Sequence, residues 1–236
     1  MNISIIVGGR FHAFNLAEQL NKQHYLKQLI TSYPKFYVNK NFKIKSSKIK
    51  SIYLKEVIQR SYLNKIFDLN DFLTEYFDKK AKSILEFKDI DILIGWSSFS
   101  YHSFLKAQNE KCIKILERGS THIDFQNNIL KEEYSFHNLK PKLISNYIIQ
   151  KEKKEYELAD YIMVPTKFAK KTFLDKGFSN EKILINPYGV DIDEFKEENT
   201  RKKSESKFRI IYTGAVSVRK GVLYLLECFN KLNLEN

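Results

Sequence analysis

Two adjacent cations near the end of the chain stand where a strand pattern gives way to a helix pattern. Arg219 and Lys220 follow the apolar run RIIYT and Gly214, and they precede Gly221 and the apolar run VLYLLECF. Cations are unfavourable at the positive N-terminal end of a helix, unless an anion binds to the free backbone N–H groups there. The pattern is equally typical of a phosphate-binding turn and of a basic surface turn.

Polar residues also end an apolar pattern in the middle of the chain. The run KCIKIL is followed by Glu117, Arg118, Gly, Ser, Thr and His122. Ligands of open α/β sheets bind outside the carboxyl ends of the strands. We therefore expect these side chains to face a ligand, with Glu117 and Arg118 orienting it or each other. The alternative is a structural Glu117–Arg118 ion pair, with His122 capping a turn.

The first apolar run, NISIIV, ends at Gly8 and Gly9, and His12 follows three residues later. His12 could reach the same cleft at the strand ends, although a single histidine in a loop is more often incidental. No function is predicted for the histidines outside these segments, His24, His102 and His137. No combination of His, Cys and Asp has the spacing of metal ligands, so no metal site is predicted.

Strand and helix patterns alternate along the chain, and the strand runs are apolar on both faces. This predicts an α/β fold with a doubly wound, mostly parallel, Rossmann-like sheet. The run KEENTRKKSESK over 196–207 is almost entirely charged or small and polar, which is typical of a linker. We expect one domain over 1–195, a linker over 196–207, and the first β-α unit of a second, incomplete domain over 208–236.

Four shorter stretches of the sequence predict local structure. Lys35–Lys50 is basic and poor in structure signals, so we expect a surface loop, whereas Tyr53–Phe87 has a helical pattern. Leu143–Leu158 is expected to be a helix whose run KEKKEYE is a solvated face. Thr166 is predicted to cap the N-terminus of a helix that ends at Gly177.

Composition excludes several classes of protein. Hydrophobic residues make up 43% of the chain, enough for a packed core, but no apolar run approaches the ~20 residues of a membrane span. The N-terminus lacks the basic segment of a secretory signal. Cys112 and Cys228 lie in apolar segments without CxxC spacing, so we expect buried thiols in a reducing compartment and a cytoplasmic protein.

The net charge of +12 suggests an acidic partner. Lysine supplies 34 of the 40 cations, however, and readers of nucleic acid favour the rigid arginine fork. We therefore expect no nucleic-acid partner. Most lysines are expected on solvated faces, with a weak peripheral attraction to an anionic membrane surface as the remaining role.

Three stretches resemble one enzyme family. YTGAVSVRKGVLYLLECF resembles the start of the C-terminal domain of family 4 glycosyltransferases, which are retaining enzymes of the GT-B fold. ELADYIMVPTKFAKKTFLDKGFSNEKILINPYGVDIDEF resembles the last part of that family's N-terminal domain. GGRFHAFNLAEQL resembles its first glycine loop.

The resemblance implies a glycosyltransferase that moves a sugar from a nucleotide-sugar donor to a glycan or lipid-linked acceptor in cell-surface polysaccharide synthesis. It implies no cofactor beyond the nucleotide-sugar co-substrate and no metal. The donor phosphates would lie on Gly214, Arg219, Lys220 and Gly221. The catalytic, acceptor-facing position would be His122. The acceptor cleft would be lined by Gly8, Gly9, His12, Glu117 and Arg118.

The family's C-terminal domain is a complete Rossmann-like unit, and about 15 residues follow Gly221 here. The sequence thus predicts a chain that stops early in that domain and has little transferase activity by itself. One alternative is an NAD(P)-dependent oxidoreductase, although GGRFHAF is not G-x-G-x-x-G and no acidic residue ends the second strand. Another is a non-catalytic basic module that binds a membrane surface or a partner chain.

Overall fold

Seven short segments form strands in the computed structural model, which describes residues 1–141, 143–190, 192 and 209–232. The strands are β1 (Ile3–Val7), β2 (Leu26–Thr31), β3 (Ile49–Ser51), β4 (Ile92–Trp96), β5 (Ile113–Glu117), β6 (Tyr161–Val164) and β7 (Ile183–Ile185).

Helices connect these strands. They are α1 (Ala13–Lys22), α2 (Lys35–Phe42), α3 (Leu54–Arg60), α4 (Tyr62–Phe67), α5 (Asn70–Ile84), α6 (Tyr101–Ala107), α7 (Ile123–Phe136), α8 (Asn146–Leu158), α9 (Lys167–Leu174) and α10 (Val222–Lys231). Short 3-10 helices occur at Ser46–Lys48 and Val218–Lys220.

The strands form one sheet in the order β3-β2-β1-β4-β5-β6-β7, and all six pairings are parallel. The predicted α/β fold with a parallel, doubly wound sheet is confirmed. The strand order reverses between β1 and β4, which creates a crevice at the carboxyl ends of these two strands. In open α/β sheets such a crevice is where ligands bind.

Both faces of the sheet are covered, because alternate strand residues point to opposite faces. Ile5 lies in a buried cluster with Phe14 of α1, whereas its neighbour Ile6 lies in the opposite cluster with Phe77 of α5 and Phe104 of α6. Burying each such side chain contributes about 1.5–3 kcal/mol. The two clusters fix the strand ends that carry the polar residues.

The expected surface loop over Lys35–Lys50 is wrong. It contains α2, a 3-10 turn and the edge strand β3. Val38 and Phe42 of α2 are buried in the core, and Ile49 of β3 is fully buried. The sequence pattern did not indicate these elements, because lysines are frequent in them and only one narrow side of each is apolar. The helical pattern after Tyr53 is confirmed, divided into three helices.

The charged run of α8 is only in part the solvated face that the sequence predicted, because Lys154 and Glu157 are exposed but three other charged residues are buried. Lys151, Glu152 and Glu155 are at most 4% exposed, and Tyr156 beside them is fully buried. The helix begins after Ser145, whose hydroxyl accepts a hydrogen bond from the Ile148 N–H. Buried charges require partners, and those of α8 come from strand ends and from α5, as described below.

The predicted caps of α9 are confirmed. The Thr166 hydroxyl accepts a hydrogen bond from the Ala169 N–H, and Gly177 has a φ of +85° three residues after the helix. Of the two cysteines, Cys112 is buried as expected, but Cys228 is exposed. Within the described residues no helix is long and apolar enough to cross a bilayer.

The chain divides into two compact units. The first contains Met1–Gln126 and Ile144–Tyr188, and therefore the whole sheet; the second contains Asn127–Leu143 and Gly189–Asn236. In the second unit, Tyr224 of α10 donates a hydrogen bond to Glu133 at 2.8 Å. The predicted linker over 196–207 lies outside the described residues, so the predicted domain boundaries stay a prediction.

The predicted strand RIIYT is not formed over 209–213, although α10 follows as expected. A strand needs a neighbouring strand to satisfy its backbone N–H and C=O groups. Within the part of the second unit that is described, no strand offers that pairing. Of the predicted β-α unit, the described residues form only the helix.

Candidate functional site

The crevice between β1 and β4 brings together side chains from four parts of the sequence. His12 follows β1, Trp96 ends β4 and Glu117 ends β5. The His12 ring lies 5.1 Å from the Trp96 ring and 4.3 Å from the ring of Tyr188, which follows β7. Polar, aromatic and glycine residues thus share the edge of the sheet where a ligand is expected.

Glu117 carries the unusual feature of this site. Glu117 is fully buried, yet neither of its carboxylate oxygens has a hydrogen-bond partner among the described residues. His12 Nε2 lies 3.2 Å from Glu117 Oε1, close enough for an ion pair but not aligned as a hydrogen bond. A buried acceptor without a donor costs about 1–3 kcal/mol. A polar ligand that donates hydrogen bonds would recover that energy.

The loop after β1 sets the position of His12. A side chain at Gly8 would overlap the ring of Phe99, so only glycine allows the loop to pass this ring. Thr31 at the end of β2 donates a hydrogen bond from its hydroxyl to the Gly9 carbonyl at 3.3 Å. Phe11 adopts a φ of +41°, which is unusual for an aromatic residue. This turn places His12 immediately before α1, with its side chain 32% exposed.

Tyr188 lies close to the loop after β5 and near enough to Glu117 to be influenced by its charge. A Cβ at Gly119 would overlap the Tyr188 hydroxyl, so the glycine after Arg118 permits the close approach. Burial and the nearby Glu117 charge raise the pKa of Tyr188 to about 12. Its hydroxyl therefore keeps its proton at neutral pH and can donate a hydrogen bond to a ligand.

Arg118 does not form the alternative ion pair with Glu117. Its Nε lies 3.1 Å from the Thr121 carbonyl, to which it donates, and 3.5 Å from Glu152 Oε2. Its Nη2 donates to Gln126 at 2.9 Å. The arginine is 7% exposed and connects the loop after β5 to α8. It positions the strand end and does not contact Glu117 through these bonds.

Glu152 and Glu155 of α8 hold the loop after β4. Glu155 accepts hydrogen bonds from the backbone N–H groups of Ser98 and Ser100 at 2.7 and 2.8 Å, and from that of Tyr101 at 3.0 Å. Glu152 accepts one from the Ser98 hydroxyl at 2.6 Å. Burial raises the pKa of Glu155 well above its ordinary range. These bonds fix the loop that carries Phe99 against Gly8.

His122 points into the core. It is 3% exposed, and its ring contacts those of Tyr156 and Phe173, each at a centroid distance of 5.1 Å. Its Nδ1 accepts a hydrogen bond from the Asp124 N–H at 3.2 Å, and burial lowers its pKa to about 4. The neutral ring packs in an aromatic cluster in this conformation, so its catalytic role stays a prediction.

The predicted phosphate turn lies in the second unit. Arg219 and Lys220 are exposed in the 3-10 turn, and neither forms an ion pair with a described residue. Gly221 has a φ of +68° and Gly214 a φ of +145°, both in the region that favours glycine. These φ values are a reason for glycine at both positions, and phosphate binding by this turn stays a prediction.

One group of side chains in the described residues is compact enough for a metal ion, namely Glu75, Asp78 and His102. Lys151 already supplies a cation there, with its Nζ 3.1 Å from Glu75 and 2.8 Å from Asp78. His102 Nε2 lies 2.7 Å from Glu75. Burial raises the pKa of Asp78, with Lys151 opposing the shift. The group is accounted for as a buried ion network.

Comparison with known proteins identifies no family for the chain. No protein-family model and no curated protein matches it. Solved structures with a similar backbone include the co-structure of S. aureus MnaA with UDP, at 17% identity and a TM-score of 0.48, covering 78% of this chain and 43% of that one. Another is the UDP-GlcNAc 2-epimerase of Neisseria meningitidis bound to UDP-GlcNAc, at 14% identity and a TM-score of 0.47, with coverages of 78% and 45%.

The UDP-GlcNAc 2-epimerase of Methanocaldococcus jannaschii is similar at the same level, with 14% identity, a TM-score of 0.48 and coverages of 78% and 45%. The chain thus spans less than half the length of each of these proteins. Backbone similarity at this level is compatible with many activities. The assignment of function depends instead on the site residues of this chain.

The sequence analysis predicted His12 and Glu117 but missed two aromatic members of the site. Trp96 is the single tryptophan of the chain and ends an apolar strand run, a position that points to the sheet edge. Tyr188 lies in the run PYGVD, within one of the stretches that resemble family 4 glycosyltransferases. Both contacts with His12 join residues far apart in sequence, and no local pattern encodes them.

Proposed function

We propose that this chain contains the acceptor-binding part of a glycosyltransferase that uses a nucleotide-sugar donor and a glycan or lipid-linked acceptor. The observation that supports it is the buried Glu117 carboxylate, which lacks a hydrogen-bond donor among the described residues and lies beside the partly exposed ring of His12. A sugar presents several hydroxyl groups, each of which can donate to a carboxylate. The family resemblance of the flanking motifs supports the same assignment.

The chemistry proposed for the pair is activation of an acceptor hydroxyl. Transfer of a sugar requires this hydroxyl to lose its proton as its oxygen attacks the donor. His12, whose Nε2 lies 3.2 Å from Glu117 Oε1, accepts that proton as a general base. Tyr188 donates a hydrogen bond to a second ligand oxygen, and the Trp96 and Tyr188 rings exclude water from the pair.

The donor side of the proposal involves Arg219 and Lys220. Sugar transfer releases a nucleoside diphosphate, and stabilising the developing charge on this leaving group is the main electrostatic task. Two exposed cations before a helix N-terminus, with glycines on either side, supply suitable positive charge and N–H groups. This part of the proposal depends on the sequence resemblance for its ligand.

The experiment measures the two ligand classes separately on the purified chain. Fluorescence of Trp96 reports binding near His12, because the chain has no other tryptophan. Short oligosaccharides are titrated first, and UDP-, GDP- and TDP-sugars second, with binding confirmed by calorimetry. We expect Glu117→Gln to weaken oligosaccharide binding at least tenfold, since a hydrogen bond to a charged group contributes about 1.5–3 kcal/mol. Lys220→Gln should weaken nucleotide-sugar binding and leave oligosaccharide binding unchanged.

Matched controls are Glu110→Gln and Lys140→Gln, which change exposed residues of the same types elsewhere. An epimerase would bind a nucleotide sugar and convert it without any glycan ligand, and mass spectrometry would show no enlarged glycan. Tight binding of NADH would instead support the oxidoreductase alternative. Either result, or oligosaccharide binding that Glu117→Gln leaves unchanged, would overturn the proposal.

A further inference from the structure

Residues 35–67, here called the α2–α4 segment, hold most of the net charge of the protein. They contain nine lysine and arginine residues and one acid, Glu56, hence a net charge of +8 out of +12 for the whole chain. The acid is already neutralised, since Arg60 Nη2 lies 3.0 Å from it and Lys55 Nζ lies 3.7 Å from it. The segment therefore presents cations with no acidic counterpart of its own.

Among the described side chains of this segment, the exposed lysines lie on α2 and in the turn after it. Four lysines are exposed and form no ion pair with a described residue: Lys35, Lys40, Lys43 and Lys45. Lysine is a compact, hydrated charge that does not need the fixed geometry of an arginine fork. Such charges suit a diffuse layer of phosphates better than one shaped anion site.

Large apolar side chains are exposed in the same segment. A single exposed apolar residue is ordinary on a protein surface, but a group of them marks an interaction site. Seven occur among the described side chains of the segment, with exposed fractions from 43% to 75%: Phe36, Tyr53, Leu54, Val57, Tyr62, Ile66 and Phe67. Tyr62 and Ile66 are four residues apart in α4 and so share one side of that helix.

Hydrogen bonds connect the α3 part of this segment to the start of α2. Strands β2 and β3 are parallel neighbours, so α2 and α3 both begin at the carboxyl edge of the sheet. Arg60 of α3 donates to the Tyr33 hydroxyl at 2.8 Å, and the Tyr33 ring lies 5.3 Å from that of Tyr37 in α2. Ser32 donates to Glu56 at 2.6 Å. Helix α3 is thereby attached to the turn that begins α2.

We propose that the α2–α4 segment is a docking surface for an anionic lipid bilayer. Exposed aromatic and aliphatic side chains enter the interface between headgroups and acyl chains, and the lysines lie against the lipid phosphates. Charge complementarity selects the lipid surface over a second copy of the chain, because two copies of a surface with four exposed lysines outside any ion pair with a described residue repel each other. The inference concerns attachment and does not depend on the proposed sugar transfer.

The test is flotation of the whole chain with phosphatidylcholine vesicles that contain or lack phosphatidylglycerol. We expect binding to the anionic vesicles, weaker binding to the neutral ones, and loss of binding at high salt. Replacing the four lysines by glutamine should lower partitioning at least tenfold. The matched control replaces four exposed lysines outside the segment by glutamine: Lys140, Lys167, Lys171 and Lys176. It should change partitioning less than threefold.

A second variant tests the apolar contribution. Tyr62→Ser, Ile66→Ser and Phe67→Ser together should reduce binding to both kinds of vesicle, with circular dichroism showing an unchanged fold. No vesicle binding, or equal losses in the two lysine variants, would overturn the proposal. So would a dimer in light scattering that the apolar variant converts to a monomer, since the surface would then serve a second copy.

Discussion

Lys151→Met tests whether the charged run of α8 is buried as the structure has it. The Lys151 ammonium lies 2.8 Å from Asp78, which is fully buried, and 3.1 Å from Glu75. Methionine has a similar length but no charge, so the variant leaves Asp78 in the core without its cation. Removing one partner of a buried ion pair costs about 3–5 kcal/mol.

The assay is urea unfolding followed by Trp96 fluorescence and circular dichroism. We expect the free energy of unfolding at neutral pH to fall by about 3–5 kcal/mol, with an unchanged slope against urea. The loss should shrink at acidic pH, because burial raises the pKa of Asp78 and a protonated Asp78 no longer needs the ammonium. Asp78→Asn added to Lys151→Met should restore part of the stability.

The matched control is Lys154→Met, one turn further along α8. Lys154 is exposed, with its Nζ 5.6 Å from the centre of the Tyr101 ring. An exposed contact of this kind contributes about 0.5–1 kcal/mol. Equal losses in Lys151→Met and Lys154→Met would refute the buried network and restore the solvated face that the sequence predicted.

Three further predictions follow from individual residues. Burial lowers the pKa of His122 from 6.5 to about 4, so only the unfolded chain binds this proton between those values; stability should fall by up to about 3 kcal/mol as the pH drops from 6.5 to 4. Urea unfolding of His122→Phe should lack that part of the decline, and an identical decline would contradict the assignment. Ellman's reagent should titrate Cys228 at once and Cys112 only on unfolding, because Cys228 is exposed while burial raises the pKa of the Cys112 thiol; two fast thiols would disprove this. Gly8→Ala should cost about 1–3 kcal/mol by overlap with Phe99, and Phe99→Leu should recover part of it in urea unfolding, whereas a neutral Gly8→Ala would show that the loop adapts.

The sequence could predict the sheet because its central strands are covered on both faces and therefore appear as continuous apolar runs. The same reasoning failed at the edge, where β3 contributes three residues amid lysines and only Ile49 is fully buried. It also failed for α8. Whether a charge is buried depends on its partner, and the partner of Lys151 is Asp78, which lies 73 positions earlier in the chain.

The candidate site shows the same limit. The position at strand ends was enough to predict His12 and Glu117 as candidate site residues, and the structure places His12 Nε2 3.2 Å from Glu117 Oε1. It was not enough to tell the direction of each side chain at the end of β5 and in the loop after it, since Glu117 lies beside His12 and His122 packs against Phe173. Tyr188 belongs to the site because the chain after β7 passes close to Gly119, which lies far earlier in the sequence. Only tertiary structure supplies that contact.

The most direct test of the account is a double-mutant cycle on oligosaccharide affinity, with His12→Gln, Glu117→Gln and the two combined. His24→Gln serves as the control, since His24 is an exposed histidine in another loop. We predict that each single change weakens binding at least tenfold and that the double variant binds no more weakly than the worse single one, because the residues act as a pair. Unchanged affinity, or losses that simply multiply, would contradict the claim that His12 and Glu117 hold the acceptor together.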